Sequence, residues 1–418
     1  MYIKKIFLKN IRCFKKLEIN FDEEWPSLLV LGDNGDGKST LLKSLAMGLC
    51  DESSAAGLHR ELPGELVRKN SKKPGIINIE LENKNKKYKI ETVIESLEAF
   101  ERVSQTVYLN GKMSTQDSFP WRDIFVCGYG PGRQTQGTAD FEEYAAIDAV
   151  YTLFRYYEPM QNSELAVRRL VEKARSKAGK NNPKEKEIRA ERMLERIRGL
   201  LKHVLNLGEK DKIIITPTGI DIKSHWGRNK LSSLGDGYKA TVTWIMDFLS
   251  WRMLSSKSLD PKTMAGIVII DEIEQHLHPR WQINIMRLLQ DAFPKIQFIA
   301  STHSPLVVSG CEHCKVISVK RGYAEENRNV YGWLPEDVYR EIMGLSEQRP
   351  FKLNNMINRY GELYEKRLTN KRLSSSESLE FRNIKQSLSR QLPESDPVIV
   401  TTKMTSITNY LKKAKKKS

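Results

Sequence analysis

Gly32-Asp33-Asn34-Gly35-Asp36-Gly37-Lys38-Ser39 follows the apolar run Ser27 to Leu31 and opens a segment, Ser39 to Cys50, with helical spacing. The eight residues fit G-x-x-x-x-G-K-[ST] at every position, with the strand before and the helix after that the pattern requires. Glycines let backbone N–H groups wrap phosphates, and a helix N-terminus adds a favourable dipole. Asn34, Gly35, Asp36 and Gly37 form the cradle, Lys38 reaches the β- and γ-phosphates, Ser39 ligates Mg²⁺, and Thr40 stands next to it at the helix start. A nucleoside triphosphate with Mg²⁺ is the ligand this stretch implies.

A phosphate loop predicts a second element, an apolar strand delivering acid at its carboxyl end. Gly266-Ile267-Val268-Ile269-Ile270 ends in Asp271-Glu272. Asp271 is placed to hold Mg²⁺ and Glu272 to orient or deprotonate an attacking water. Phe298 to Ser301 is another buried strand, ending in Thr302-His303-Ser304, which puts His303 in the crevice where open α/β sheets bind ligands, within reach of a γ-phosphate. Two wholly apolar strands separated by the helical segment Pro279 to Phe293 indicate a parallel sheet covered on both faces.

The rest of the chain is organised around these strands. Tyr2 to Asn10, Leu17 to Phe21, Ile76 to Leu81, Tyr88 to Ile94 and Thr106 to Leu109 alternate as strands, with Asn110-Gly111 as a hairpin turn. Asp51 to Lys73, rich in Gly, Pro, Ser and charge, reads as a long surface loop. Asp123 to Cys127 is a strand running into Gly128-Tyr129-Gly130-Pro131-Gly132-Arg133-Gln134. Helical spacing takes over from Phe141 to Leu207, and Gly235 to Leu254 is a helix. The expected domains are an N-terminal lobe (1–140), an inserted basic helical subdomain (141–208), a C-terminal lobe (209–320) and a polar extension (321–418).

Composition narrows the partners. The 418 residues carry a net charge of +16, of which Arg168 to Arg198 holds +7 and Thr402 to Ser418 holds +6. Such patches suit a polyanion, with nucleic acid the first candidate; a solvated helix face plus a frayed tail is the bland alternative. A mean hydropathy of −0.50 and no long apolar run leave no bilayer span. Met1 to Phe14 has no signal-peptide character, so a cytoplasmic location is expected. Five scattered cysteines argue against a disulfide framework. Cys311-Glu312-His313-Cys314 has zinc-like spacing without a second pair to complete a site, and Trp244, Trp251 and Trp281 read as core or interface.

The phosphate loop, the apolar strand ending in Asp-Glu and the Thr-His-Ser segment together resemble the ABC class of ATPases. The resemblance implies an α/β head, with a mixed N-terminal β-subdomain and a parallel sheet flanked by helices, carrying the inserted helical subdomain and a helical C-terminal extension. It also implies a signature motif, found at Leu231-Ser232-Ser233-Leu234-Gly235-Asp236-Gly237-Tyr238, whose serine is matched by Ser233 or replaced by Gly235. Asp236 and Gly237 complete the implied phosphate contacts. Lys9-Asn10-Ile11-Arg12-Cys13-Phe14 and Glu274-Gln275-His276-Leu277-His278-Pro279 are similar to the RecF, SMC-like and OLD-type branch, making Arg12 a ribose or base contact and Gln134 an Mg²⁺ or water contact. No toprim-like acidic constellation follows Pro305, and the pattern is similar to the ATPase subunit of Septu-type anti-phage systems. That resemblance implies a homo-oligomer controlling a separately encoded HNH endonuclease. A RecF-like repair ATPase and a non-hydrolysing ATP-binding scaffold are the alternatives.

Overall fold

The computed structural model describes residues 1–21, 27–83, 86–133, 141–158, 160–161, 166, 169, 183–216, 219–225, 227–230, 233, 235–255, 264–345, 349–369 and 372–400. Two compact units result, Met1–Met343 and Gly344–Ser418.

The larger unit is built on two six-stranded sheets. The first contains β1 (Tyr2–Ile11), β2 (Phe14–Asn20), β4 (Gly75–Asn83), β5 (Lys86–Ser96), β6 (Glu101–Leu109) and β7 (Lys112–Ser114), in the order β2-β1-β4-β5-β6-β7 and antiparallel throughout. Its β6–β7 turn is Asn110-Gly111, both residues at positive φ, as a tight hairpin demands. The second sheet has the order β15-β14-β3-β13-β12-β8, from β3 (Ser27–Leu31), β8 (Val126–Tyr129), β12 (Ala265–Ile270), β13 (Lys295–Ser301), β14 (Cys314–Lys320) and β15 (Tyr323–Glu326). All its pairs are parallel except β14 with β15.

The parallel strands are apolar at nearly every position because both faces are covered. Leu28, Val30, Val126, Ile267, Ile269 and Ile299 point to one side, into a core shared with the antiparallel sheet and α1 (Lys38–Gly48). Leu29, Leu31, Cys127, Tyr129, Val268, Ile270 and Phe298 point to the other. There they meet α4 (Pro183–Val204), α5 (Asp236–Ser255) and the helix Ile285–Ala292. A small antiparallel sheet, β9 (Lys212–Thr216), β10 (Gly219–Ser224) and β11 (Gly227–Lys230), lies between α4 and α5 in sequence. Trp244 and Trp251 are buried in this second core.

Several expectations are corrected. The stretch read as a surface loop from Asp51 contains α2 (Glu52–Arg60), capped by Asp51, whose carboxylate accepts from the Ser54 N–H at 3.1 Å. Ala55 and Leu58 bury this otherwise polar helix. Pro279 to Phe293 is two helices, Pro279–Gln282 and Ile285–Ala292. Within the described part of the expected insertion, α3 (Ala146–Phe154) and the Leu200-Leu201-Val204 face of α4 join the two main cores. The extension does not begin at 321, because β15 pairs with β14 and the division falls after Met343. Cys311 and Cys314 lie side by side, their Cα atoms 5.9 Å apart.

The smaller unit pairs the helices Phe351–Leu368 and Ser375–Gln391 around Tyr360, Leu363, Phe381, Leu388 and Ile399. The second of these opens with a capping box between Ser374 and Glu377. Among the described residues, no helix is long and apolar enough to cross a membrane.

Candidate nucleotide site

Register brings the site together. Val30 of β3 pairs with Ser301 of β13, Ala300 with Ile270 of β12, and Ile270 with Tyr129 of β8. Four parallel strands therefore end level, delivering Gly32, Thr302, Asp271 and Gly130 to one edge of the sheet.

The phosphate loop has the backbone that its glycines allow. Gly32, Gly35 and Gly37 all have positive φ. A Cβ on Gly37 would lie 2.4 Å from Cys13 Sγ, and one on Gly32 would lie 2.4 Å from the Val319 carbonyl oxygen. The loop is thus wedged between the β1–β2 turn and the end of β14. Asp36 closes it by accepting from the Asp33 N–H at 2.9 Å and the Arg321 N–H at 3.1 Å. Asn34, Gly35 and Ser39 are exposed.

Lys38 is buried, and its ammonium donates to the carbonyls of Gly32 at 2.9 Å and Asp33 at 3.0 Å. Burial lowers its pKa, opposed by the nearby carboxylates of Asp271, Asp36, Glu272 and Asp33. The cation and the acidic pair therefore share one electrostatic environment.

Asp271 is buried and accepts a short hydrogen bond from Ser301 Oγ. The same hydroxyl accepts from the Glu272 N–H at 2.8 Å. Glu272 has φ +53°, an uncommon conformation for a residue with a side chain, stabilised here by its neighbours. The His303 N–H donates to Glu274 Oε1 at 2.6 Å. Among the described residues, the buried atoms His303 Nε2 and Glu274 Oε2 have no hydrogen-bond partner.

These features fit a nucleotide with Mg²⁺. The loop's glycines form a cradle that side chains would fill, and His303 Nε2 is an orphaned buried group at the strand ends. One hydroxyl, Ser39, and one carboxylate, Asp271, are a sparse donor set of the kind Mg²⁺ uses, since it keeps waters and takes substrate phosphates.

Arg12 has its guanidinium on the carbonyls of Pro63 at 2.7 Å and Glu65 at 3.1 Å, while its neighbour Cys13 abuts the phosphate loop. In the signature segment, Ser233 and Gly235 are exposed. Ser233 Oγ donates to the Lys230 carbonyl at 2.8 Å, and a Cβ on Gly237 would meet the His276 carbonyl oxygen at 2.6 Å. Asp236 begins α5. Gln134 lies outside the described residues, as do most of Arg168 to Lys180 and all of 401–418.

Arg133, Ser301 and Glu274 escaped assignment from sequence. Only Arg133 left a signal there, sitting at the end of Gly130-Pro131-Gly132, where Cβ atoms on both glycines would collide with the backbone of Thr152 and Tyr156.

The fold is similar to that of an SMC head, and the motifs at its strand ends resemble those of the ABC class of ATPases. Two models of AAA domains match the chain: one described as "AAA domain" over residues 5–210, the other as "AAA domain, putative AbiEii toxin, Type IV TA system" over 223–309. The chain is similar to the Septu protein PtuA of Bacillus mycoides (strain KBAB4), 26% identical over 93% of this chain and 50% of that protein. It is also similar to the Retron Vc95 probable ATPase of Vibrio cholerae serotype O1 biovar El Tor, 25% identical over 76% of this chain and 73% of that one. It therefore spans about half the length of the Bacillus relative. Among solved structures, an SmcHead bound to the C-winged helix domain of ScpA matches with a TM-score of 0.51 and 16% identity, over 78% of this chain and 97% of that one.

Proposed function

We propose that the chain binds ATP with Mg²⁺, hydrolyses it at a site shared between two copies, and uses nucleotide state to control a separately encoded HNH-type endonuclease in anti-phage defence. The observation that carries this reading is the convergence of Lys38, Asp271, Glu272 and His303 at one edge of the sheet. The defence role draws support from the relatives bearing Septu and retron names. Nucleic acid is the proposed polyanion for the basic stretch Arg168 to Arg198.

Each residue has a role within this reading. Lys38, already dehydrated, exchanges two carbonyls for triphosphate oxygens and offsets their charge. Glu272 orients the attacking water and takes its proton, while Asp271 is aimed by the hydroxyl of Ser301. His303 Nε2 gains a terminal phosphate oxygen as partner. Ser39 and Asp271 would hold Mg²⁺, with Gln134 a third candidate, and the ion would neutralise charge on the β- and γ-oxygens. In the shared site, Ser233, Gly235, Asp236 and Gly237 of one copy face the phosphates held by the other.

The reading separates ATP chemistry from DNA chemistry. The purified chain with DNA and Mg²⁺ is expected to leave the DNA intact, and cleavage is expected once an HNH partner is added. Metal-dependent nicking by the chain alone, abolished by substituting an acidic residue other than Asp271 or Glu272, would overturn it.

A further inference from the structure

Arg133 is buried, yet among the described residues its guanidinium donates to no carboxylate. Nη1 donates to the carbonyls of Gly130 at 3.2 Å and Asp271 at 2.8 Å, and Nη2 donates to those of Glu272 at 2.7 Å and Ile273 at 3.3 Å. Three successive carbonyls, all from the turn after β12, thus converge on one planar fork. Burial lowers the pKa of Arg133 to about 10, against the opposing pull of Glu274, Asp271 and Glu272, so the group stays charged at neutral pH. An ammonium has only three donors and lacks this fork geometry.

What the fork holds is the left-handed backbone at Glu272. A residue with a side chain is strained there and persists only where its surroundings over-determine it. The determinants are visible on both sides of the residue. Its N–H is tied to Ser301 Oγ at 2.8 Å, the next N–H, of Ile273, is tied to the Ser301 carbonyl at 3.0 Å, and the carbonyls on the opposite side belong to Arg133. The approach of Arg133 is equally constrained. A Cβ on Gly132 would lie 1.7 Å from the Tyr156 carbonyl oxygen, and one on Gly130 would lie 2.3 Å from that of Thr152. Only glycines can bring the arginine along this path.

We infer that Arg133 is a positioning residue for ATP hydrolysis: by clamping the carbonyls of Asp271, Glu272 and Ile273 it fixes the left-handed turn that aims the Glu272 carboxylate. The inference rests on the proposed hydrolytic role of Glu272. It assigns Arg133 no contact with nucleotide, so loss of the clamp should affect the chemical step and spare binding.

The test uses full-length Arg133→Met and Arg133→Lys chains, with crystal structures, fluorescent ATP-analogue titrations and steady-state turnover. In Arg133→Met, residue 272 should leave the left-handed region, and kcat should fall by about 10²-fold, as a misplaced catalytic group produces. Nucleotide Kd should stay within about 3-fold, the kinetic split that marks an effect on the transition state alone. Arg133→Lys should recover part of the lost kcat. If Arg133→Met does not fold, Arg133→Lys decides: kcat lowered at unchanged Kd supports the inference, and wild-type kcat overturns it. A folded Arg133→Met chain that keeps positive φ at residue 272 and turns over ATP like the wild type also overturns it. Should the wild type itself fail to hydrolyse ATP, the proposed function falls, while the torsion at residue 272 in Arg133→Met still tests the clamp.

Discussion

Among the described residues, the buried cation Lys38 is held by the carbonyls of Gly32 and Asp33 with no direct carboxylate partner, so it carries a desolvation cost. Its removal should spare the fold and cost the ligand. Lys38→Ala is expected to melt at or above the wild-type temperature and to bind ATP at least about 10-fold more weakly, since hydrogen bonds from charged groups contribute about 1.5–3 kcal/mol. Differential scanning fluorimetry and nucleotide titration read the two effects separately; undiminished ATP binding would remove Lys38 from the site. Asp247 presents the opposite electrostatics. Burial pushes its pKa up to about 7, although Tyr129 OH donates to it at 2.9 Å and the Gln161 N–H at 2.8 Å. Folded protein thus holds a proton that the unfolded chain, with a carboxyl pKa of about 3.9, releases earlier. The stabilising contribution is complete below about pH 4 and is lost as pH rises through 7. Asp247→Asn should flatten the fall in melting temperature between pH 5 and 8, whereas parallel profiles for the two proteins would exclude Asp247 as its source.

At the scale of elements, the contact between α5 and the turn after Glu272 carries a prediction. Gly237→Ala would place a Cβ 2.6 Å from the His276 carbonyl oxygen, backbone that cannot swing aside as a side chain can. The helix start should shift, with a loss of about 1–3 kcal/mol as for other overpacked sites. Chemical denaturation measures this, and an unchanged midpoint would show that the turn yields freely. The same elements explain what was legible beforehand. β3, β12 and β13 read as strands because burial on both faces makes them continuously apolar, and the motifs at their ends followed from that placement. α2 was hidden because its helix depends on one cap and two buried side chains within a polar, serine-rich stretch. Ser301 and Glu274 were illegible for another reason: their importance lies in N–H groups brought from the ends of β12 and β13, which residue spacing does not reveal. The extent of the larger unit was missed because Arg321 supports the phosphate loop through its backbone N–H, which bonds Asp36 regardless of side chain.

Across the whole molecule, the site is assembled from segments as distant as Asp36 and Arg321, yet every one of them lies in Met1–Met343. The helical unit beyond it has its own small core around Tyr360, Leu363, Phe381, Leu388 and Ile399. On the proposed reading, Glu272 is what makes this head a hydrolase. Steady-state ATP turnover by the purified wild type beside Glu272→Gln, each with and without DNA and the HNH partner, bears on it most directly. The glutamine keeps shape and hydrogen-bonding reach but cannot take a proton, so it should bind ATP like the wild type, accumulate as an ATP-bound dimer, and turn over at least about 10²-fold more slowly. Equal turnover by the two proteins under every condition would show that Glu272 has no catalytic part and leave the chain an ATP-binding scaffold.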